Sequence, residues 1–349
     1  MRSGFVAILG RPNAGKSTLL NALTGEKVAI VTAKPQTTRN RVAGVVEVAA
    51  RKAVHPAAQI VFVDTPGVHK PSSQLDRRML REVHEALETR DLVLVLIDAS
   101  RRVQLEAAGE PAQAHLHKSA SWASEDEFLF GLIRGLDCPA FLVLTKIDLV
   151  AKDVLLPLIE TLTKQHNFAQ VIPVSARKKD GLDILIRKIV EVLPTGERYY
   201  PKDQYTDQPM RFMVAELIRE RILVETGEEV PYASAVVIER YEEPEPVAAP
   251  KKGKEAKAPL TRIAAAIYCE REGQKAILIG KGGSKLKEIG TGARKQIESL
   301  LGTRVYLELH VIVEPGWRES KGFVESLDWR SQLEKLAHDR EGKDFTGDE

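Results

Sequence analysis

The residues best suited to chemistry in this sequence form a phosphate-binding loop near its N-terminus. The segment Gly10-Arg11-Pro12-Asn13-Ala14-Gly15-Lys16-Ser17, followed by Thr18, matches the spacing GxxxxGK[ST] at every fixed position. Glycines in such a loop let main-chain N–H groups turn toward phosphates, and the N-terminus of the following helix adds its dipole. Lys16 is expected to reach the β- and γ-phosphates of a nucleotide, and Ser17 to bind Mg²⁺.

A second set of residues can hold the magnesium ion and sense the γ-phosphate. Asp64-Thr65-Pro66-Gly67 follows an apolar strand, so Asp64 is placed to hold Mg²⁺ through water while the Gly67 N–H contacts the γ-phosphate. Between the two motifs, Lys34–Arg39 carries a threonine pair, and the Thr38 hydroxyl is expected to complete the Mg²⁺ shell. The predicted metal ligands are Ser17, Thr38 and Asp64.

A third set of residues can select the base. Thr145-Lys146-Ile147-Asp148 directly follows the apolar strand Phe141–Leu144. The Asp148 carboxylate can accept two hydrogen bonds from guanine, whereas adenine would leave a costly polar mismatch. The Lys146 stem is expected to pack along the base, and Ser175-Ala176-Arg177 to add a main-chain N–H to the guanine oxygen. The sequence therefore predicts GTP or GDP as the ligand.

The elements that must position these motifs alternate between strand and helix. This alternation predicts an α/β domain with a mostly parallel sheet, in which ligands bind beyond the carboxyl ends of the strands. The predicted strands are Phe5–Leu9, Val42–Val48, Gln59–Val63, Leu92–Ile97, Ala140–Leu144 and Val171–Val174. The predicted helices are Lys16–Leu23, Asp76–Glu88, Glu125–Gly135, Val154–Thr163 and Ile184–Leu193.

The second half of the chain predicts a smaller α+β domain built around another glycine loop. A helix is predicted over Arg211–Thr226, followed by strands over Ser234–Arg240 and Arg262–Cys269. Next comes Gly280-Lys281-Gly282-Gly283, followed by a helix predicted over Leu286–Leu300. A GxxG loop before a helix is typical of K-homology domains, in which it clamps the backbone of about four unpaired nucleotides. Because strands precede the loop, the type II arrangement is favoured.

Basic residues cluster around this glycine loop. Residues 275–295 contain Lys275, Lys281, Lys285, Lys287, Arg294 and Lys295 against one acid, Glu288. Ile279, Leu286 and Ile289 are expected to belong mainly to the core beside an apolar groove, and Trp317 to pack on the domain. The predicted RNA-binding residues are Ile279, Gly280, Lys281, Gly282, Gly283, Lys285, Lys287 and Arg294.

Length and composition favour two domains. The chain has 349 residues, of which 43% are hydrophobic and 29% charged. The longest apolar run, Leu92–Ile97, is too short to cross a membrane, no signal peptide precedes Phe5, and Cys138 and Cys269 lack metal-ligand spacing.

Arg101–Ser121 is predicted to be a surface loop. The predicted boundaries are a GTPase domain over 1–195, a linker over 196–208, a K-homology domain over 209–322 with a disordered insert over 242–259, and a tail over 323–349.

Together these motifs resemble those of the translation-factor-related class of Ras-like GTPases, and residues 4–330 are similar to the bacterial Era family. The resemblance includes the phosphate loop, Gln36–Arg39, Asp64–Gly67 and the second domain. It implies a Mg²⁺-dependent GTPase that binds single-stranded RNA, namely the 3′ end of small-subunit ribosomal RNA, and acts in maturation of the small ribosomal subunit. It also implies a peripheral contact with the inner face of the membrane. We expect a monomeric, cytoplasmic protein.

Three positions bear on the rate of hydrolysis and on affinity. Val68 stands where Ras-type enzymes carry a water-orienting glutamine, so slow intrinsic hydrolysis is expected. Asn13 matches an asparagine that in related GTPases helps to hold K⁺ in place of an arginine finger, which implies activation by K⁺. The family's guanine motif usually begins with an asparagine that braces the phosphate loop, and Thr145 at this position is expected to weaken binding. The predicted catalytic residues are Asn13, Lys16, Thr38 and Gly67.

Three other functions fit parts of the sequence. An ATPase or kinase could use the same phosphate loop, although Asp148 after Lys146 argues against it. An RNA chaperone with a decayed GTPase site is compatible with Val68 and Thr145. A sibling GTPase of tRNA modification or ribosome assembly fits the first domain, but such proteins mostly lack a terminal K-homology domain.

Overall fold

The computed structural model describes residues 1–107, 118–227, 230–244 and 259–330. These residues fall into two units, Met1–Ser72 with Met79–Asp207, and Ser73–Arg78 with Gln208–Glu349, and each unit is described by itself. Within the described ranges, no helix is long and apolar enough to span a membrane. The predicted tail beyond residue 330 and most of the predicted insert, residues 245–258, lie outside the described residues.

The first sheet is mostly parallel, as predicted. Its strands are β1 (Arg2–Gly10), β2 (Val42–Val48), β3 (Ala58–Asp64), β4 (Leu92–Asp98), β5 (Ala140–Thr145) and β6 (Gln170–Pro173). They lie in the order β2-β3-β1-β4-β5-β6, and only the β2–β3 pair is antiparallel. The helices are α1 (Lys16–Thr24), α2 (Gln74–Glu88), α3 (Ala99–Ala107), α4 (Lys118–Arg134), α5 (Leu155–Thr163) and α6 (Leu182–Val192).

Both faces of this sheet are buried, which explains why its strands are continuous apolar runs. Successive side chains of β1 point to opposite faces. Val6 and Ile8 belong to one core cluster together with residues of α1 and α6, and Ala7 and Leu9 belong to the other together with residues of α4 and α5. Polar residues are therefore placed where the strands end, and the carboxyl ends of β1, β3, β4 and β5 meet at one edge of the sheet.

Two segments of the first unit differ from expectation. Arg101–Ser121 is not a surface loop throughout, since α3 extends to Ala107 and α4 begins at Lys118, with residues 108–117 outside the described ranges. Its alanines, glutamates and glutamines are strong helix formers, which favours these helices. The predicted linker packs on the sheet edge, because the Val45 N–H donates to the Tyr205 carbonyl at 2.9 Å and the Thr206 hydroxyl to the Ala43 carbonyl at 2.8 Å.

The second unit contains a three-stranded sheet with helices. Its described elements are α7 (Met210–Glu225), β7 (Ala235–Glu242), β8 (Leu260–Cys269), α8 (Glu272–Ile279), α9 (Ser284–Leu301), β9 (Arg304–Val313) and α10 (Lys321–Ser326). The sheet order is β7-β8-β9, with β7 and β8 antiparallel and β8 and β9 parallel. Two strands precede the glycine loop, as predicted, and the apolar segment directly before the loop is helix α8.

The predicted start of the tail at residue 323 is too early. Val324 is buried in α10, and the Phe323 ring lies 4.9 Å from the ring of Tyr268. Trp317 is fully buried, and its Nε1 donates to the Ala233 carbonyl at 2.9 Å, which confirms that it packs on the domain. The second unit therefore extends at least to the end of α10.

Candidate functional site

The phosphate loop turns tightly between β1 and α1. Asn13 and Gly15 both have left-handed backbone, with φ of 65° and 90°. A Cβ at Gly10 would lie 2.8 Å from the Leu96 carbonyl oxygen, so only glycine fits this close approach at the end of β1. The loop thus delivers the main chain to the first turn of α1, whose N-terminal N–H groups suit a phosphate.

Lys16 is buried under this loop. Its Nζ donates to the carbonyls of Gly10 and Arg11, both at 3.0 Å. Burial lowers the pKa of Lys16 to about 8, and the attraction of Asp64 opposes this shift. The ammonium is therefore held by two main-chain acceptors in a position where phosphates can replace the lost water.

The three predicted metal ligands meet at one point. The Ser17 hydroxyl lies 2.6 Å from Asp64 Oδ2 and 2.8 Å from the Thr38 hydroxyl, and Thr38 donates to the same Oδ2 at 3.3 Å. Burial raises the pKa of Asp64, while Lys16 and the hydrogen bonds of Ser17, Thr38 and Thr65 lower it. The buried Asp64 Oδ1 has no hydrogen-bond partner. Two hydroxyls and an unsatisfied carboxylate oxygen fit a hard cation such as Mg²⁺.

The Asp64–Gly67 segment packs directly on the phosphate loop. The Thr65 hydroxyl donates to the Ile8 carbonyl at 2.8 Å, and a Cβ at Gly67 would lie 2.7 Å from Pro12, so this position needs glycine. Pro66 lies between these two anchored residues. The Val68 N–H donates to the Gly10 carbonyl at 3.0 Å, and its side chain is buried in the apolar core. Val68 therefore contributes packing and not a polar group for water.

The base motif is braced by its own side chains. Ser175 donates to Asp148 Oδ1 at 2.6 Å, which orients the carboxylate expected to read guanine. Lys146 has a left-handed φ of 58°, and its Nζ lies 2.7 Å from Asp98 Oδ2. The Thr145 hydroxyl donates to the Ala14 carbonyl at 2.8 Å. The Thr145 hydroxyl therefore makes a brace to the phosphate loop, and the weaker binding expected from Thr145 stays a prediction.

The motifs converge on one cleft of about 530 Å³. Predicted residues that line it directly are Pro12, Asn13, Gly15, Lys16, Ser17, Thr18, Thr38, Gly67, Thr145, Lys146, Asp148, Ala176 and Arg177. The other predicted nucleotide-site residues do not line it: Gly10, Arg11, Ala14, Asp64, Thr65, Pro66 and Ser175. Sequence reasoning missed Asp98, Ser100, Arg101 and Leu149, which also line it. Asp98 ends the buried strand β4, and that position is the signal that could have found it.

The glycine loop of the second unit leaves its outer side open. Gly282 and Gly283 have left-handed φ of 60° and 80°, and a Cβ at either would meet nothing within 4 Å. Gly280 is different, because a Cβ there would lie 2.7 Å from Lys285 Cβ. The loop therefore turns sharply at Gly280 and presents bare backbone at the next two glycines, which lets a phosphate chain approach closely.

The cations around this loop are mostly exposed. Lys281, Lys287 and Arg294 are exposed, whereas Lys285 donates to Glu288 at 2.6 Å, a contact that raises the pKa of Lys285. Three apolar residues near the loop were expected to lie mainly in the core. Ile289 is fully buried, as expected, whereas Ile279 and Leu286 are only half-buried. These two side chains lie on either side of the glycine loop in sequence.

Comparisons with known proteins match both halves of the chain to families of the predicted kinds. A family described as 50S ribosome-binding GTPase matches residues 5–146, and a KH domain family matches residues 229–318. GTPase Era of Ruminiclostridium cellulolyticum is 37% identical over 330 residues, which cover 95% of this chain and 98% of that protein. GTPase Era of Syntrophus aciditrophicus is 42% identical over 316 residues, which cover 90% of this chain and 91% of that protein.

Two solved structures are similar over nearly the whole chain. One is a variant of Aquifex aeolicus Era bound to GDP and AlF₄⁻, with a TM-score of 0.78, 37% identity, and coverage of 93% of this chain and 98% of that one. The other is Era in complex with MgGDPNP and nucleotides 1506–1542 of 16S ribosomal RNA, with a TM-score of 0.77, 38% identity and the same coverage of both chains, 93% and 98%. The chain belongs to the Era family of GTPases, with an N-terminal GTP-hydrolysing domain and a C-terminal KH domain.

Proposed function

We propose that this protein is a Mg²⁺-dependent GTP switch that captures the single-stranded 3′ end of 16S ribosomal RNA and acts in maturation of the small ribosomal subunit. The observation that carries the proposal is the meeting of Ser17, Thr38 and Asp64 at one point beside the phosphate loop. A similar chain, 38% identical, has been solved with MgGDPNP and that RNA segment, which supports both ligands.

Each predicted catalytic residue has a distinct task in hydrolysis. Lys16 neutralises charge on the β- and γ-phosphates, and the Gly67 N–H donates to the γ-phosphate. Thr38 closes over the γ-phosphate and the metal site. Ser17, Thr38 and Asp64 would hold Mg²⁺, which would supply positive charge to the phosphate oxygens. Because Val68 offers no hydrogen bond to water, intrinsic hydrolysis is slow.

The same contacts make the nucleotide site a switch. Thr38 and Gly67 belong to separate loops, 34–40 and 64–74, and both would contact only a nucleotide that carries the γ-phosphate. Hydrolysis removes the group that holds them. We expect this release to change how readily the KH domain captures RNA, so that GTP and GDP states differ in RNA affinity.

Asn13 is the residue proposed to recruit K⁺. It lines the nucleotide cleft, and its Nδ2 donates to the Ala33 carbonyl at 2.8 Å, so its amide oxygen is the atom suited to bind a cation. A monovalent cation at this position would add positive charge beside the phosphates, in the role that an arginine finger plays elsewhere.

The KH domain is proposed to hold RNA through the open glycine loop. Gly282 and Gly283 leave room for the sugar–phosphate backbone, and Lys281, Lys287 and Arg294 supply charge for phosphates. The half-buried Ile279 and Leu286 offer apolar surface to unstacked bases. This combination suits an unpaired strand better than a duplex.

Two measurements test the proposed function against its rivals. Labelled GDP should be displaced from the full chain by unlabelled GTP and not by ATP, since Asp148 pairs only with guanine; displacement by ATP would favour the ATPase alternative. Crosslinking to cellular RNA should map to the 3′ end of 16S ribosomal RNA. If a Lys16→Ala variant kept full cellular activity, the RNA chaperone without a working GTPase site would be favoured.

A further inference from the structure

Behind the phosphate loop, one buried carboxylate lies between two arginines. Asp126, on α4, accepts from Arg11 Nη1 through Oδ1 at 3.1 Å and from Arg102 Nη1 through Oδ2 at 2.5 Å. The side chains of Arg11 and Asp126 are only 10% and 9% exposed. None of the predicted motifs contains Asp126 or Arg102, and the contact with Arg11 joins residues 115 positions apart.

Arg11 connects this carboxylate to the phosphate-binding lysine. Its guanidinium is held by Asp126, and its main-chain carbonyl is one of the two acceptors that Lys16 Nζ reaches at 3.0 Å. A displacement of Arg11 therefore moves an atom that directs the ammonium. The route from Asp126 to Lys16 runs through one residue, by contacts that are each within hydrogen-bond distance.

A small cavity of about 30 Å³ lies behind the loop, lined among others by Arg11, Pro12, Ala14 and Asp126. A polar cavity of this size has room for about one water molecule. The charge-assisted hydrogen bond to Asp126 is one of the contacts that hold the Arg11 guanidinium on this side.

We propose that Asp126 is a positioning residue of the phosphate site: it fixes Arg11 and, through the Arg11 carbonyl, the direction of the Lys16 ammonium toward the phosphates. A carboxylate between two guanidiniums cancels their repulsion, which is strong where water is excluded. Without that charge the two guanidiniums repel each other, and Arg11 loses a charged partner that fixes its position. The inference rests on guanine nucleotide binding in this cleft, as proposed above.

The test compares two Asp→Asn substitutions in the full chain. Asp126→Asn keeps the shape of the side chain and removes its charge. The matched control is Asp137→Asn, since Asp137 lies 2.6 Å from Arg90 and is 91% exposed. With Mg²⁺ present, Asp126→Asn should release a fluorescent GDP analogue about tenfold faster, the loss expected for one charged hydrogen bond. The control should release it at the wild-type rate.

A phosphorus NMR spectrum separates positioning from general destabilisation. The ³¹P resonances of bound GDP should shift in Asp126→Asn and stay in place in Asp137→Asn, because only the first variant redirects Lys16. A lower melting temperature with wild-type release and unshifted resonances would mean that Asp126 only supports the fold, and the proposal would be overturned.

A double-mutant cycle tests the route through Arg11. In an Arg11→Met background, Asp126→Asn should cause no further increase in release rate, whereas two effects that multiply would overturn the route. If Asp126→Asn does not fold, GDP release is measured in Arg11→Met alone, in which Arg102 still neutralises the carboxylate. Faster release than wild type would support the proposal, and release at the wild-type rate would overturn it. A wild-type chain that bound no GDP would overturn the proposed function as well, while normal binding with unchanged release in the variants would overturn this inference alone.

Discussion

The Thr145 hydroxyl lies 2.8 Å from the Ala14 carbonyl oxygen, and this hydrogen bond joins the base motif to the phosphate loop across 131 positions of sequence. The same hydroxyl is 3.3 Å from the Ile97 carbonyl at the end of β4. One buried threonine at the end of β5 thus joins the phosphate loop to the end of β4. The family's usual asparagine at this position is longer, so a different side chain performs the bracing here.

Removing the Thr145 hydroxyl should loosen nucleotide binding. Thr145→Val keeps the volume and leaves the Ala14 carbonyl without its donor, so GDP should dissociate about tenfold faster. The matched control is Thr161→Val, because Thr161 donates to the Pro157 carbonyl at 3.0 Å from the exposed face of α5. Stopped-flow release of a fluorescent GDP analogue measures both variants. Equal rates in wild type and Thr145→Val would show that the brace has no effect on binding.

The affinity for GDP should fall as the pH rises above about 8. Burial lowers the pKa of Lys16 to about 8, so at higher pH the nucleotide-free protein has lost a proton that binding must restore. Below that pH the lysine is charged in both states and the affinity should be flat. Titration calorimetry from pH 7 to 9 measures the slope, which should approach about tenfold per pH unit at the upper end.

A Lys16→Arg variant is the control for this pH dependence. Arginine stays charged throughout, so its affinity, although weaker, should lose the dependence that comes from position 16. The comparison also separates titration of Lys16 from titration of the guanine base. A wild-type profile that parallels the arginine variant would mean that Lys16 does not titrate in this range.

Potassium should accelerate hydrolysis, and the acceleration should depend on Asn13. Phosphate release measured in matched KCl and NaCl should be faster in KCl for the wild type. Asn13→Ala removes the amide oxygen and should make the two rates equal, with GDP binding largely retained. Identical wild-type rates in the two salts would exclude the proposed cation.

Gly282→Ala should weaken RNA binding, whereas a Gly302→Ala control should lose a similar amount of stability and keep its RNA affinity. Gly282 and Gly302 have nearly the same left-handed φ, 60° and 64°, and a Cβ at either meets nothing within 4 Å. Each alanine should therefore cost about 1–2 kcal/mol of unfolding free energy. Only Gly282 lies in the glycine loop, so only Gly282→Ala should reduce affinity for a single-stranded oligonucleotide. Equal RNA affinity in both variants would place the RNA elsewhere.

Contiguous motifs were the features that the sequence alone predicted well. The motifs of Lys16, Asp64 and Asp148 each follow an apolar strand, and parallel strands bring their carboxyl ends to one edge, so these three residues could be assigned to one site without coordinates. The glycine loop was equally clear, because its pattern, the neighbouring lysines and the following helix occupy one short stretch. In these regions, the spacing of residues along the sequence is enough to predict where they lie in the folded domain.

Pairings between distant residues were the features that the sequence could not predict. Nothing local marks Asp126 as the partner of Arg11 or Asp98 as the partner of Lys146, because each pair is made by strand and helix order. The polar composition of residues 196–208 indicated a linker, yet Tyr205 and Thr206 bond to β2. A main-chain carbonyl and a single hydroxyl make these bonds, and neither leaves a signal in the composition of the segment.

The central claim is that guanine nucleotide in the first domain governs RNA capture by the second. The most direct test is calorimetric titration of an oligonucleotide with the 3′-terminal sequence of 16S ribosomal RNA into the full chain with Mg²⁺, saturated with either GDPNP or GDP. The account predicts one RNA site with tighter binding in the GDPNP state. Equal affinity in the two states, or no binding of RNA in either, would contradict it.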